Sequence, residues 1–313
     1  MSNRLTSAVI VTCGFGNYFA DCLDSCLEQE SVEPEIIIID NSLDRDFSQS
    51  LIKFSARVKI YSQKTRLSYC QSLNLGINQS KGEFVLCLND DVRLKNDFLL
   101  YALKGFAKNP DIGMVSGKIL RFDQETIDSA GLFLSPYLSA QENGYMQKDT
   151  GKFDHPGYVF GVSGSAALYR RQMLEQVKIE DWYFDPDFAF FYEDLDIAWR
   201  AKKKNWLAYY LPEAVAYHAR GGSLRSAEGI GKIVARRYLN DQLCARLIIN
   251  RYLTIIRNAK ISQILLRAPL CFLYELCAWA YMLIFRLKAT RMVFLKKHLL
   301  LSAIKSRLKL TNQ

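Results

Sequence analysis

Two short acidic segments each follow an apolar run, and their side chains could bind a cation or move a proton. Residues 89–91 (Asn-Asp-Asp) follow the apolar run 84–88, and Glu193 and Asp194 follow residues 188–192. Carboxylates at the end of a buried strand are costly to desolvate unless a positive group, such as a metal ion, meets them. The first segment therefore indicates a cation site for a phosphate-bearing ligand, and the second could supply a base or further ligands. Together they indicate metal-assisted group transfer.

Both acidic segments also have structural explanations. The first could cap the helix that follows it, and carboxylates at the start of a helix are favoured by the helix dipole. Asp196 and Arg200 are four residues apart and could form an ordinary helical ion pair, so we leave Asp196 outside the site. We favour the functional explanation for the first segment because a buried strand precedes it directly.

The elements that must position these side chains alternate between strand and helix over the first 117 residues. Strands are predicted at residues 8–12, 35–40, 58–61, 84–88 and 112–116, with helices at 19–28, 46–54, 68–79 and 96–108. Such apolar strands, separated by helices, predict a mostly parallel sheet flanked by helices, in a Rossmann-like α/β fold. Asp40 and the pair Asp90–Asp91 then lie at the carboxyl ends of strands, where sheets of this kind bind ligands.

The second half of the sequence is less regular. Hairpins and loops are predicted for residues 118–160, a strand for 166–169, and a helix that starts at the second acidic segment. A strand at 206–210 leads to His218, and the glycines between 221 and 231 predict a flexible boundary. We therefore predict two regions, residues 1–229 and residues 230–313.

The positive charge belongs to the C-terminal region. Residues 230–313 contain 16 Lys and Arg against two acidic residues, whereas the first 229 residues contain 25 basic and 30 acidic ones. Helices that mix apolar surface with many cations predict contact with an anionic membrane face. Ordinary packing of the helices on the sheet is the alternative. Nucleic acid is not expected as a partner because no recognition motif is present.

The eight cysteines show no CxxC spacing, and several lie inside apolar runs, where cysteine behaves as a small hydrophobic residue. Because the N-terminus shows no secretory signal, we expect reduced thiols and a cytoplasmic protein. With the basic C-terminal region, this predicts peripheral association with the inner face of the cell membrane.

The order and spacing of these motifs resemble the inverting glycosyltransferases of family 2, most closely their bacterial rhamnosyltransferase-like branch. The resemblance extends from about residue 8 to residue 218. It implies the GT-A fold, an activated sugar bound as a nucleotide diphosphate, and a divalent metal, Mg²⁺ or Mn²⁺. Asn89 stands where many members have Asp, so this position is uncharged here.

The resemblance also assigns roles to individual residues, several of which have a structural alternative. Asp91 is the metal ligand, with Asp90 beside the metal or the ribose, and a histidine such as His218 completes the metal or diphosphate site. Asp194 is the base that removes a proton from the acceptor hydroxyl, and Glu193 orients the acceptor or trades roles with it. The nucleotide is expected against Thr12, Asp40, Arg66, Asn89 and Asp90.

Further positions are weaker candidates. Asp40 could accept from a pyrimidine N–H, or could simply form a turn. Small residues at 161–165 could let the backbone approach an acceptor sugar, or could serve close packing. Three polar residues after the last strand could close over the diphosphate: Arg220, Ser223 and Arg225.

The predicted function is inverting transfer of a sugar, with rhamnose from dTDP-rhamnose preferred, to a glycan or lipid-linked saccharide in bacterial surface polysaccharide synthesis. One alternative is a transferase that uses a UDP-hexose or a UDP-N-acetylhexosamine. The other is a membrane-bound assembly module with a degenerate site.

Overall fold

The computed structural model describes residues 5–14, 16, 18–220 and 239–311, with side chains to residue 308. The first half alternates strands and helices: β1 (Thr6–Thr12), α1 (Phe19–Leu27), β2 (Glu35–Asp40), α2 (Arg45–Leu51), β3 (Val58–Ser62), α3 (Tyr69–Gln79), β4 (Phe84–Asn89), β5 (Val92–Leu94), α4 (Phe98–Phe106) and β6 (Ile112–Arg121). The predicted strands and helices of this half are all present, with ends shifted by a few residues.

The second half begins with short strands and ends with helices: β7 (Ile127–Ser129), β8 (Leu132–Leu134), β9 (Ala140–Glu142), β10 (Gly157–Val159), β11 (Ala166–Arg170), α5 (Arg171–Gln176), α6 (Glu193–Lys203), β12 (Leu207–His218), α7 (Asp241–Asn258), α8 (Ile261–Phe285), α9 (Leu287–Leu295) and α10 (Lys297–Thr311). The strand predicted at 206–210 thus continues to His218.

One sheet organises the molecule, with the path β10-β12-β6-β11-β4-β1-β2-β3. The four strands β3, β2, β1 and β4 are parallel, as predicted. Beyond β4 the sheet is mixed, because β11 runs antiparallel to both β4 and β6 while β12 runs parallel to β6. Strand β5 pairs with the end of β12, outside this path.

The register of the parallel strands gathers their polar ends at one edge. Thr12, the last residue of β1, is opposite Asp40, the last residue of β2. Val11 is opposite Asn89, the last residue of β4. The side chains expected to bind a ligand therefore follow three neighbouring strands at the same height.

Alternating residues of the parallel strands pack into two buried layers, one on each face of the sheet. Ile10 and Ile38 pack on one face with aromatic residues of α1 and α2. Val9 and Ile37 pack on the other face, in a cluster that includes residues of α3, α6 and α7. Five of the cysteines are buried in these layers, as their apolar surroundings predict: Cys22, Cys26, Cys70, Cys87 and Cys244.

The C-terminal helices differ in how far they enter the core. Helix α7 is integrated with the sheet, since Cys244, Ile249 and Leu253 are fully buried in the same cluster as α6. Helix α8 is long and apolar enough to cross a membrane, with a mean hydropathy of 1.6 over its most apolar 18 residues, of which 11% are buried. The boundary predicted at residues 229–230 lies outside the described residues.

Candidate active site

The first acidic segment occupies the turn between β4 and β5. The backbone N–H of Asn89 donates to the carbonyl of Ser165 at 3.0 Å, and the Tyr69 hydroxyl donates to Asn89 Oδ1 at 2.7 Å. Strand β5 then pairs with the end of β12. This pairing carries Asp91 to His218, the last residue of β12.

His218 lies between two carboxylates. Its Nε2 is 3.2 Å from Asp91 Oδ1, and its Nδ1 is 2.8 Å from Asp128 Oδ2. Asp128 is fully buried, and its Oδ1 accepts from Arg220 Nε at 2.5 Å. Burial would raise the pKa of Asp128, but Arg220 and His218 outweigh it and hold that pKa well below its usual range. Burial would lower the pKa of His218, but Asp91 and Asp128 raise it to about 9.

These side chains fit a divalent cation that is shared with a diphosphate. Protonated His218 can donate Nδ1–H to Asp128 and Nε2–H toward Asp91. A cation that replaced the Nε2 proton would complete the carboxylate–histidine–metal arrangement of many metal sites. The 3.2 Å separation suits two adjacent ligands of one ion, because six ligand bonds of about 2.1 Å place neighbouring ligands about 3.0 Å apart. Within the described ranges, three or more His, Cys, Asp or Glu side chains nowhere converge on a common point. Phosphate and water oxygens would therefore supply the other ligands.

Asp90 interacts with the end of β1. It lies within hydrogen-bonding reach of the Thr12 hydroxyl and of the Cys13 backbone N–H. Burial raises the pKa of Asp90 to about 6, and although the bond from Thr12 opposes this, the charge of Asp91 adds to it. A cation bound beside Asp91 would stabilise the ionised form of Asp90, which burial and the charge of Asp91 disfavour.

Arg66 is exposed in the loop between β3 and α3. Burial raises the pKa of the Cys13 thiol, and the Arg66 cation is close enough to oppose that rise. Thr12, Asp90 and Arg66 thus surround the carboxyl end of β1, where the nucleotide was expected.

Asp40 is fully engaged with its own chain. Oδ1 accepts from the backbone N–H and the hydroxyl of Ser42 at 3.0 and 2.6 Å. Oδ2 accepts from the hydroxyls of Ser48 and, at 2.8 Å, Ser62. These four bonds use the four acceptor positions of the carboxylate, and they lower its pKa although burial opposes them. The nucleotide role of Asp40 stays a prediction, because a base N–H would have to displace one of these donors.

The second acidic segment forms the first turn of α6, after a turn with three positive φ angles in residues 189–192. Asp194 Oδ2 accepts from the Gly164 N–H at 3.1 Å, and Oδ1 accepts from the Leu195 N–H at 2.7 Å. Glu193 is 7% exposed, and its Oε2 has no hydrogen-bond partner among the described residues.

Burial and the repulsion between like charges affect the pKa values of these two carboxyl groups differently. Burial raises the pKa of Glu193 to about 8, and the charge of Asp194 adds to the rise. Burial also raises the pKa of Asp194, but the N–H groups of Gly164 and Leu195 oppose it. The backbone donors thus favour the negative charge on Asp194 over Glu193, which has no such donor at Oε2 and more readily carries the proton of the pair. An ionised carboxylate beside a neutral acid suits a base and a hydroxyl-binding group.

The turn of small residues at 161–165 joins the two acidic segments. Gly164 bonds to Asp194, and Ser165 bonds to Asn89, so both segments line the same edge of the sheet. Gly161 packs against α6 so closely that a Cβ there would lie 2.6 Å from Ala198 Cβ. This packing explains why residue 161 is a glycine.

Two carboxylates near this edge were not identified from the sequence. Asp128 supports His218, and Glu142 accepts from the hydroxyls of Ser129 and Ser163. Burial raises the pKa of Glu142 to about 8, and the charge of Asp194 adds to the rise. Both lie in the hairpin region, and neither follows an apolar run of the kind that precedes the two acidic segments. Two of the weaker candidates, Ser223 and Arg225, lie outside the described residues.

A sequence model described as Glycosyl transferase family 2 matches residues 7–178, which is more than half of the chain. The chain belongs to this family. The predicted family is thereby confirmed, and the rhamnosyltransferase-like branch stays a prediction.

Curated relatives of this family 2 glycosyltransferase are distant. The chain is similar to the poly-beta-1,6-N-acetyl-D-glucosamine synthase of Staphylococcus epidermidis, with 25% identity over 199 residues that cover 63% of this chain and 45% of that protein. It is also similar to glycosyltransferase GlyG of Streptococcus pneumoniae serotype 4, with 25% identity over 125 residues that cover 39% of this chain and 41% of that protein. The chain therefore spans less than half the length of these relatives.

Solved structures share the fold. GalNAc-T7 with UDP, GalNAc and Mn²⁺ aligns with a TM-score of 0.59 and 12% identity, over 81% of this chain and 48% of that one. S. aureus TarS 1-349 with UDP-GlcNAc aligns with a TM-score of 0.56 and 14% identity, over 97% and 81%. The mannosyltransferase PcManGT of Pyrobaculum calidifontis, with GDP-Man and Mn²⁺, aligns with a TM-score of 0.55 and 16% identity, over 99% and 75%. The predicted GT-A fold is confirmed.

Proposed function

We propose that this protein transfers a sugar from a nucleoside-diphosphate sugar to a hydroxyl of a glycan or lipid-linked saccharide, with inversion at the anomeric carbon. The proposal is carried by one observation: a cation-type pair, Asp91 and His218, and a base-type carboxylate, Asp194, line the same edge of the sheet. Inverting transfer needs a stabilised leaving group on one side of the sugar and a base on the other.

On the donor side, Asp91 and His218 would hold Mg²⁺ or Mn²⁺, with Asp90 adding negative charge beside them and Asp128 orienting His218. A bound cation neutralises the charge that develops on the departing diphosphate. Thr12, Arg66 and Asn89 line the same end of β1 and β4, where a nucleotide would bind.

On the acceptor side, Asp194 is the group that would take the proton from the attacking hydroxyl. The N–H groups of Gly164 and Leu195 oppose the rise in its pKa that burial causes, which favours its charged form over that of Glu193. Protonated Glu193 offers an O–H that can hold an acceptor oxygen in place.

The donor sugar has two candidates, and each rests on a different observation. The motif pattern from residue 8 to residue 218 resembles rhamnosyltransferases, which favours dTDP-rhamnose. The names of the curated synthase and of the TarS complex refer to N-acetylglucosamine and UDP-GlcNAc, which favours a UDP-N-acetylhexosamine. Both candidate donors are consistent with a role in polysaccharide assembly.

We also propose that the protein lies on the inner face of the cell membrane through α8–α10. Sixteen of the large exposed apolar side chains lie in this region, including Leu266 at 83% and Phe272 at 71% exposure. Helix α8 is tied to α7 along one side, where Glu275 bonds to Arg251 and Tyr252, and Trp279 Nε1 donates to the Tyr252 hydroxyl. These ties favour a helix that lies along the membrane surface over one that crosses it, because a crossing helix would have to leave α7.

Thermal shift and sugar transfer test this proposal together. The protein is screened with UDP, dTDP and GDP in the presence of Mn²⁺, and transfer from the matching labelled sugars to membrane glycolipid extracts is then measured. We expect one pyrimidine diphosphate to raise the melting temperature and its sugar to be transferred. Binding without turnover of any donor would favour the degenerate assembly module. The absence of both nucleotide binding and sugar transfer would contradict the proposal.

A further inference from the structure

Helix α7 belongs to the basic C-terminal region, yet its polar side chains point at the segment that leads into Glu193 and Asp194. Arg246 donates to the carbonyl of Asp187 at 3.0 Å, and Arg257 pairs with Asp185 and Asp187. At its end, α7 contacts α6 itself: the Asn258 amide donates to Asp196 Oδ1 at 2.6 Å. One helix therefore bonds to residues on both sides of the two catalytic candidates.

The centre of this contact is Asn250. Its side chain is fully buried, and its Nδ2 donates to the carbonyls of Phe188, Phe190 and Phe191 at 2.8, 2.7 and 2.8 Å. Two N–H groups thus serve three carbonyl oxygens. An oxygen at the same position would face three other oxygens, so the orientation of the Asn250 amide is determined by its surroundings.

The backbone that these carbonyls belong to is strained. Ala189, Phe191 and Tyr192 have φ angles of 58°, 71° and 68°, in the left-handed region that residues with a Cβ rarely adopt. Residues with a Cβ persist there only where their surroundings over-determine the backbone conformation. Asn250 supplies that constraint from outside the segment, and Cys70 adds one bond from its N–H to the carbonyl of Ala189 at 3.2 Å.

The direction of this turn decides where α6 starts and so where its first two side chains point. Tyr192 immediately precedes Glu193 and is itself anchored, because its hydroxyl lies 2.6 Å from that of Ser139. A relaxed turn would rotate the first turn of α6 and move Asp194 away from the Gly164 N–H. A displacement of about 1 Å at a reacting group can lower a rate about a hundredfold.

We propose that Asn250 is a positioning residue, which holds the 189–192 turn in its left-handed form and thereby aims Asp194 at the acceptor. The role rests on the proposed function of Asp194 as the base. It gives α7 a part in the reaction that is separate from any contact with the membrane.

The test compares Asn250→Asp with Thr254→Val in the full-length protein. Asn250→Asp keeps the shape of the side chain but replaces the donor group with an oxygen. Thr254 is fully buried one turn further along α7, and its hydroxyl donates to the carbonyl of Asn250 at 2.8 Å, within the helix. Thr254→Val therefore removes a buried hydrogen bond of α7 without removing any of the three bonds to the turn.

We expect Asn250→Asp to lower kcat about a hundredfold while the affinity for nucleotide and Mn²⁺ stays within about twofold of wild type. Thr254→Val should leave both values near wild type. Backbone amide exchange in a peptide spanning residues 186–193 should be faster in Asn250→Asp and unchanged in Thr254→Val. Asn250→Ala, which introduces no oxygen, should show the same direction with a smaller loss.

The proposal is overturned if Asn250→Asp retains its kcat, if nucleotide affinity falls in parallel with kcat, or if Thr254→Val loses as much activity. A wild-type protein that is inactive with every donor would instead refute the proposed function. The exchange measurement would then decide alone whether Asn250 holds the turn: faster exchange only in the Asn250 variants supports it, and unchanged exchange refutes it.

Discussion

Replacing the two carboxyl groups at the start of α6 with amides should affect the rate of transfer very unequally. Asp194→Asn removes the proposed base, whereas Glu193→Gln replaces an acid that is already mostly neutral. The pKa of Glu193 is raised to about 8, so the protonated form prevails at pH 7. A glutamine at that position therefore resembles the prevailing state, and it keeps a hydrogen-bond donor.

The magnitudes follow from these protonation states. Loss of a general base lowers a rate by about 10²–10⁴-fold, which corresponds to about 3–5 kcal/mol in the barrier, and we expect Asp194→Asn to fall in this range. Glu193→Gln should keep kcat within about threefold of wild type, since it changes the minor ionised fraction only. Glu193→Ala should lose about tenfold, the equivalent of one hydrogen bond to the acceptor.

Transfer of labelled sugar at pH 7 measures kcat for each variant, and thermal shift with nucleotide and Mn²⁺ controls for donor binding. Donor binding should survive in all three variants, because Asp194 contacts Gly164 and its own helix and not the end of β1. If Glu193→Gln abolished turnover while Asp194→Asn retained it, the two roles would be reversed. Equal and modest losses in both would mean that neither carboxylate acts as the base.

The other predictions concern the cation site, pH and the membrane. Asp128→Asn should weaken Mn²⁺ binding about 10–100-fold, measured by titration in the presence of nucleotide, because His218 and Arg220 lose their buried counter-charge; unchanged affinity would refute the orienting role. The pKa of Glu193 is higher in the folded than in the unfolded protein, so its ionisation destabilises the fold: the cost is absent below about pH 4.5 and complete above about pH 8, with a ceiling of about 5 kcal/mol. Denaturant unfolding of Glu193→Gln should accordingly show a gain over wild type at pH 9 that disappears at pH 4, and a gain independent of pH would contradict this. Leu266→Glu should weaken sedimentation with anionic vesicles, and leave the melting temperature unchanged, because this side chain is 83% exposed; unaltered binding would exclude this face of α8.

The sheet edge could be predicted from the sequence because its signals are local. Each strand of the first half can be recognised from its own apolar run. The parallel arrangement of these strands then brings the residues that follow the runs to one edge of the sheet. Asp90 and Asp91 were identified for this reason, whereas Asp194 was identified because the pair Glu193–Asp194 resembles a motif of the family. His218 was identified as a histidine at the end of a strand, before a glycine-rich segment.

The roles of other carboxylates depend on tertiary contacts, which local sequence patterns do not reveal. Asp128 acquires its role only when β7 pairs beside β6 and places it under His218. Asp40 follows a strand like the other acidic residues, but three serines from its own and neighbouring segments satisfy it. No spacing along the chain distinguishes such a carboxylate from one that binds a ligand.

The basic C-terminal region shows how composition alone can mislead. Its excess of cations predicts contact with a membrane surface, but several arginines of α7 instead form hydrogen bonds and ion pairs within the protein. Arg251 bonds to Glu275 and to the carbonyl of Tyr137, and Arg257 pairs with two aspartates that precede α6. The exposed apolar side chains of α8–α10 support membrane contact better than the total charge does.

The central claim is that the edge formed by β1, β4 and β12 binds a cation together with a nucleoside diphosphate. Anomalous diffraction from crystals of the full chain grown with Mn²⁺ and either UDP or dTDP tests it most directly. We predict one strong peak within about 2.5 Å of an Asp91 oxygen and of His218 Nε2, with the diphosphate on its open side. A nucleotide bound elsewhere, or bound at this edge with no metal beside Asp91, would contradict the claim.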